Sequence, residues 1–110
     1  MLDGLMAALD ETSIPFVLMA WDHAPDDLYG VVTLNDQTAL STDANAASET
    51  MLEGYIDVFT RTADYDEKQE VEDCLRGLGI WFALESVQYE DDTKYIHLEW
   101  RWRDTNGSAI

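Results

Sequence analysis

The sequence predicts a small α+β domain with a short N-terminal helix, a mixed or antiparallel sheet of about five strands, and one amphipathic helix packed on one sheet face. Two patterns carry this expectation. Apolar and polar residues alternate at period two from Leu52 to Phe59 and again from Tyr95 to Trp102, as strands with one buried face require. Between them Val71, Leu75 and Leu78 recur at helical spacing, with Cys74 beside them, which predicts a helix over 66–78.

Taken in order, Leu2, Leu5, Met6 and Leu9 form the apolar stripe of a short helix that should end around Glu11, with Asp3 favourably placed at its positive end. Ser13-Ile14-Pro15 breaks it. The nearly continuous apolar run Phe16 to Trp21 then reads as a strand buried on both faces, hence a central one. Asp22-His23-Ala24-Pro25-Asp26-Asp27 is a turn-rich connection to a strand over Tyr29 to Leu34, and the two strands read as a loose hairpin. From Asn35 to Thr50 the residues are polar and small without a period, which predicts a long loop or an extended hairpin arm.

The third strand should point Leu52, Gly54, Ile56 and Val58 into the core and Glu53, Tyr55, Asp57 and Phe59 away from it. Asp64 is placed to cap the following helix with Glu67 three residues on, and Gly79 stands where a left-handed C-terminal cap belongs. Ile80 to Tyr89 and Lys94 to Arg103 form a final hairpin through the acidic turn Glu90-Asp91-Asp92-Thr93. Ile96, Leu98, Trp100 and Trp102 share its core face, whereas Tyr95, His97, Glu99 and Arg101 share a face that is wet or shared with a neighbour. Residues 1–103 thus form one domain, and 104–110 read as a flexible tail.

A chain of 110 residues builds a real but marginal core, so a partner surface is a natural supplement. Its 46% hydrophobic content, with four Trp, five Tyr and three Phe, is that of a folding chain and not of a disordered acidic tail. Against 23 acids stand only six bases, a net charge of -17, which argues against specific binding to phosphate backbones. The same charge makes any self-association sensitive to ionic strength. Cys74 is the single cysteine, which fits a reducing compartment and a packed thiol. Met1 to Leu5 has neither the basic leader nor the apolar length of a signal peptide or membrane span.

No catalytic residue, cofactor or metal is expected. Asp22, His23, Asp26 and Asp27 offer oxygen and nitrogen donors from one loop, but without the alternating acids, central Gly and terminal Glu of a calcium loop or the further His or Cys of a zinc site. His97 between Tyr95 and Glu99 reads as a satisfied cross-strand pair, since no Ser or Cys nucleophile motif accompanies it. In Trp100-Arg101-Trp102-Arg103, strand alternation sends both rings to one face and both cations to the other, so no stacking platform for single-stranded nucleic acid results.

In the order of its elements the chain resembles the tail-completion, or tail-terminator, proteins of long-tailed bacteriophages and prophages. The resemblance runs nearly to Arg103. It is carried by Phe16 to Pro25 leading to Tyr29-Gly30-Val31-Val32, by Tyr55 to Thr60, by Asp64-Tyr65-Asp66, by Val71 to Leu75, by Leu78-Gly79-Ile80, and by the aromatic hairpin from Tyr89 to Trp102. It implies a structural subunit without enzyme activity that closes as a six-fold ring on the head-proximal end of the tail tube, stops tail polymerisation and forms the head–tail joint.

The partners so implied are other copies of the chain, the major tail tube protein and the head–tail connector protein. The place implied is the virion tail, and the bacterial cytoplasm during assembly. The acidity and the Ala-rich stretch Ala39 to Ala47 depart from the family pattern. An acidic lumen would let DNA pass without sticking, with no membrane involved. The expected subunit contacts are Asp36, Thr38, Leu40, Thr42 and Asn45 on the arm, and Tyr95, His97 and Arg101 on the outer strand face. The rival readings are an acidic monomeric binding or inhibitor module acting on a basic protein partner, and a small hydrolase using His97.

Overall fold

The computed structural model of the chain describes residues 3–39, 50–62 and 66–105. In chain order they form α1 (Asp3–Leu9), β1 (Phe16–Leu18), β2 (Leu28–Ala39), β3 (Thr50–Thr60), α2 (Asp66–Leu78), β4 (Trp81–Glu90) and β5 (Tyr95–Asp104). The strands make one open five-stranded sheet in the order β1-β2-β3-β5-β4. β1 runs parallel to β2, and every other neighbouring pair is antiparallel. This is the expected α+β class. No helix among the described residues is long and apolar enough to cross a membrane.

Strand alternation decides where the core lies. Val32, Leu52, Ile56, Val58, Leu98, Trp100 and Trp102 all point to one sheet face, where Leu5 and Leu9 of α1 and Val71 and Leu75 of α2 meet them. α2 has the predicted bounds. Gly79 adopts a φ of 71°, the Ile80 amide donates to the Leu75 carbonyl at 3.0 Å and the Gly79 amide to the Arg76 carbonyl at 3.1 Å, so the helix ends in a Schellman cap. Asp64, the expected N-cap, lies outside the described residues. Glu67 is buried and accepts hydrogen bonds from the hydroxyls of Thr60 at 3.1 Å and Thr62 at 2.9 Å, tying the helix start to the end of β3. Glu72 is buried as well, accepting from the Trp100 indole at 3.1 Å while Lys68 and Arg76 pair with it from one turn on either side.

Several expectations are corrected. α1 ends at Leu9, with Thr12 donating its hydroxyl to the Leu9 carbonyl. The Phe16 to Trp21 run is not a central strand: β1 holds only Phe16–Leu18 and lies at the sheet edge. Met19, at a φ of 76°, turns the chain out of the sheet. The apolar residues of this run are spent on anchoring the edge, with Phe16 in the core and the Trp21 indole donating to the Gly30 carbonyl at 3.0 Å.

Nor are the first two strands a hairpin. The 19–27 connection carries the chain back to the start of β1, so that Phe16 faces Gly30 in a parallel register. β2 continues to Ala39 and β3 begins at Thr50, so the arm alternative holds for the backbone on either side of 40–49. Asp104, expected in the tail, closes β5 opposite Leu52 and is buried.

Candidate functional site

The opposite sheet face carries no helix, and the same alternation that builds the core populates it. Tyr29, Val31 and Thr33 of β2, Glu53, Tyr55, Asp57 and Phe59 of β3, and the odd-numbered residues of β5 point there. Register then arranges them in cross-strand rows: Tyr29, Phe59 and His97 in one, Val31, Asp57 and Glu99 in the next, Thr33, Tyr55 and Arg101 in a third.

An aromatic cluster occupies one end. The Tyr29 ring stacks on Phe59 at 4.8 Å, and Phe59 stacks on the His97 imidazole at 4.2 Å. Tyr95 meets Tyr29 and Phe59 edge-on, and the Arg61 guanidinium lies 4.2 Å above its ring. Arg61 also pairs with Asp27 at 2.9 Å and donates to the Thr93 carbonyl, while the Tyr95 hydroxyl accepts from the Asp27 amide. These bonds tie the 19–27 connection and the β4–β5 turn to the sheet. At the other end Arg101 and Arg103 both lie over the Trp81 ring, at 5.3 and 5.4 Å, and pair with Glu85 and Glu53 respectively.

Between the two ends sits a cluster of Asp57, His97 and Glu99, whose nitrogen and oxygen donor atoms all lie within 4.8 Å of one another. His97 Nε2 stands 2.7 Å from Asp57 Oδ1, with the two side chains only 21% and 17% exposed. The bond to Asp57 is the main cause that raises the His97 pKa, against the opposing effect of burial. Burial, and then the neighbouring Asp57 carboxyl, raise that of Glu99. Burial is also the main cause that raises Cys74, which makes this thiol a packing group more than a nucleophile.

Both shifts on the outer face mean that the folded chain holds protons more tightly than the unfolded one. Their stabilising contribution is fully present below the unfolded pKa values and is lost as pH rises through the folded ones. The part of the stability owed to this cluster should therefore fall as pH climbs from the ordinary Glu value of 4.5 through and beyond the ordinary His value of 6.5. His97→Gln should flatten that part of the profile of urea midpoints. Parallel profiles for the two proteins would show that the His97–Asp57 bond contributes nothing to folding.

The sequence expectations for this face divide. His97 is in a cross-strand pair as expected, and its partner is Asp57 on β3. Tyr95 is an outer-face residue that is already buried within its own chain, beneath Arg61, so it offers a neighbour little new surface. Arg101 remains 44% exposed. Trp100 and Trp102 do separate from the two arginines, yet cation and ring still meet because β4 supplies Trp81. Asp36 and Thr38 pair through their backbones with Glu53 and Met51, whereas Leu40, Thr42 and Asn45 lie outside the described residues. In the 22–27 connection His23 and Asp22 are 4.0 Å apart and fully exposed, and Asp27 is engaged by Arg61. The residues that sequence reasoning missed, Asp57 and Trp81, reach the site through strand register alone. Comparison of the chain with protein-family models and with curated proteins finds no match.

Proposed function

We propose that the chain is a structural subunit of a phage-type tail, closing as a six-fold ring on the head-proximal end of the tail tube, where it stops polymerisation and joins the tail to the head connector. The observation that carries this reading is the β2–β3 ribbon. β5 ends opposite Leu52, whereas β2 and β3 go on pairing through Thr38↔Met51 and Ala39↔Thr50. Beyond β5 the ribbon is two strands wide, and such a ribbon is marginal in water by itself. It gains stability by lying on another surface, and in a ring that surface belongs to the next copy. The helix-free sheet face, with Arg101 and Trp81 exposed toward one end and half-buried His97 farther along it, supports the same reading as a second place for contact. The net charge of -17 opposes closure, so salt should favour it by shortening repulsion to about 8 Å at physiological ionic strength.

The test replaces residues 38–51 by an Asn-Gly turn between Gln37 and Leu52, a hairpin end compatible with the strand twist. The full chain should form rings by light scattering and electron microscopy at moderate salt and should cap tail tubes, whereas the shortened chain keeps its fold but stays monomeric. Rings that persist without the ribbon, or a full chain that is monomeric at every salt concentration, would refute the reading. The latter result, together with capture of a basic protein, would favour the acidic binding module.

A further inference from the structure

We propose that Asp57, His97 and Glu99 form a binding site for one divalent first-row transition-metal ion on the helix-free face of the sheet. Imidazole and carboxylate together are the donor set that Zn(II), Co(II) and Mn(II) accept. All three side chains stand on two paired strands in fixed register, Asp57 directly opposite Glu99 and Phe59 directly opposite His97. Their donor atoms converge within 4.8 Å. The Phe59 ring, stacked 4.2 Å from the imidazole, restricts its orientation.

The second argument is electrostatic. Two ionised carboxylates directly opposite each other on neighbouring strands repel and destabilise a sheet, and either a shared proton or a cation between them removes that repulsion. Among the described residues no Lys or Arg pairs with Asp57 or Glu99. Arg61 is engaged by Asp27, Arg101 by Glu85 and Arg103 by Glu53. His97 alone bridges to the acid pair, through Asp57. A divalent ion would supply the missing charge. Bonds of about 2.0–2.2 Å hold neighbouring donors roughly 3 Å apart in an octahedral site and about 3.3–3.6 Å apart in a tetrahedral one. Accepting an ion thus requires the 2.7 Å contact between His97 Nε2 and Asp57 Oδ1 to widen by about 0.3–0.9 Å, and donors near the 4.8 Å limit to close by about 1–2 Å, movements within reach of side-chain rotation. The protein donors all come from the sheet side, so the remaining coordination positions face outward, toward water or a donor from a bound partner. The site stands on the outer face itself and does not depend on ring formation.

The experiment titrates metal-stripped protein with Co²⁺ at about pH 8, since metal binding competes with protons for the donors and is favoured as pH rises, in excess Mg²⁺ to occupy the diffuse acidic surface, following the visible Co²⁺ absorption and the heat of binding. Saturation at one ion per chain, displaced by Zn²⁺, is expected. His97→Ala, Asp57→Asn and Glu99→Gln should each weaken binding by more than about tenfold, the lower end of what even an outer-sphere partner contributes. His23→Ala, in the exposed connection, should leave it unchanged. Circular dichroism of each variant checks that the fold is retained, as substitutions on a face without a covering layer should allow. Absent saturable binding, binding that survives in His97→Ala, or full competition by Mg²⁺ would overturn the proposal.

Discussion

Gly54→Ala is expected to destabilise the protein by about 3 kcal/mol or more, at or beyond the upper end of what overpacking costs. At Leu34 the β2–β3 register shifts by one residue, Leu34 facing Gly54 and Asp36 facing Glu53, so β2 bulges over its partner. A Cβ on residue 54 would stand 1.8 Å from the Thr33 carbonyl oxygen and 2.8 Å from its carbon. Those are backbone atoms held in the ladder, and no side-chain rotation relieves the clash. The melting temperature should drop by more than about 10 °C, given several degrees per kcal/mol in a domain of this size. Gly77→Ala is the internal control. It changes the same atoms inside α2, where nothing beyond the helix's own backbone and the adjoining residues lies within 4 Å of the new methyl, and should stabilise by about 0.5–1 kcal/mol through helix propensity. Equal melting of wild type and Gly54→Ala would show that the bulge is not closed as described.

The second large effect separates two tryptophans that sequence treats alike. Trp100 and Trp102 are both fully buried on the same face of β5. The Trp100 indole donates to Glu72, a carboxylate 9% exposed, while the Trp102 indole nitrogen is buried with no hydrogen-bond partner among the described residues. Trp100→Phe removes a hydrogen bond to a charged group, about 1.5–3 kcal/mol, and leaves Glu72 to Lys68 and Arg76 alone. Trp102→Phe instead removes an unsatisfied donor whose burial costs about 1–3 kcal/mol, which offsets part of the lost packing. The first substitution should therefore cost at least about 2 kcal/mol more than the second in urea unfolding. Against a total of about 5–15 kcal/mol for a domain, that difference is large. A double-mutant cycle with Glu72→Gln assigns it to the indole–carboxylate bond. Equal costs for the two Phe variants would show that bond to be worthless.

What was legible in the sequence was local. The bounds of α2 follow from its apolar spacing and from Gly79, because capping and periodicity act within a few residues. The inward set of β3 and β5 follows from period-two alternation, which holds whatever the neighbours are. The burial of Glu67 and Glu72 was not part of that reading. Glu67 lies four residues before Val71 and Glu72 three before Leu75 on the stripe, but only folding brings Thr60, Thr62 and Trp100 to satisfy them.

What only the tertiary structure decided was pairing between distant segments. An apolar run such as Phe16 to Leu18 has the same composition at an edge as in the middle of a sheet. Its place was settled by the turn at Met19 and the parallel register with β2. The cluster of Asp57, His97 and Glu99 likewise depends on β3 lying beside β5, a contact across about 40 residues of chain. Sequence by itself determined which face each side chain takes on its own strand, since that is a property of backbone geometry. The order of the strands, and with it which charges and rings meet on the helix-free face, came from packing the whole chain around one core, where the energies of many weak contacts are shared and no single segment carries the answer.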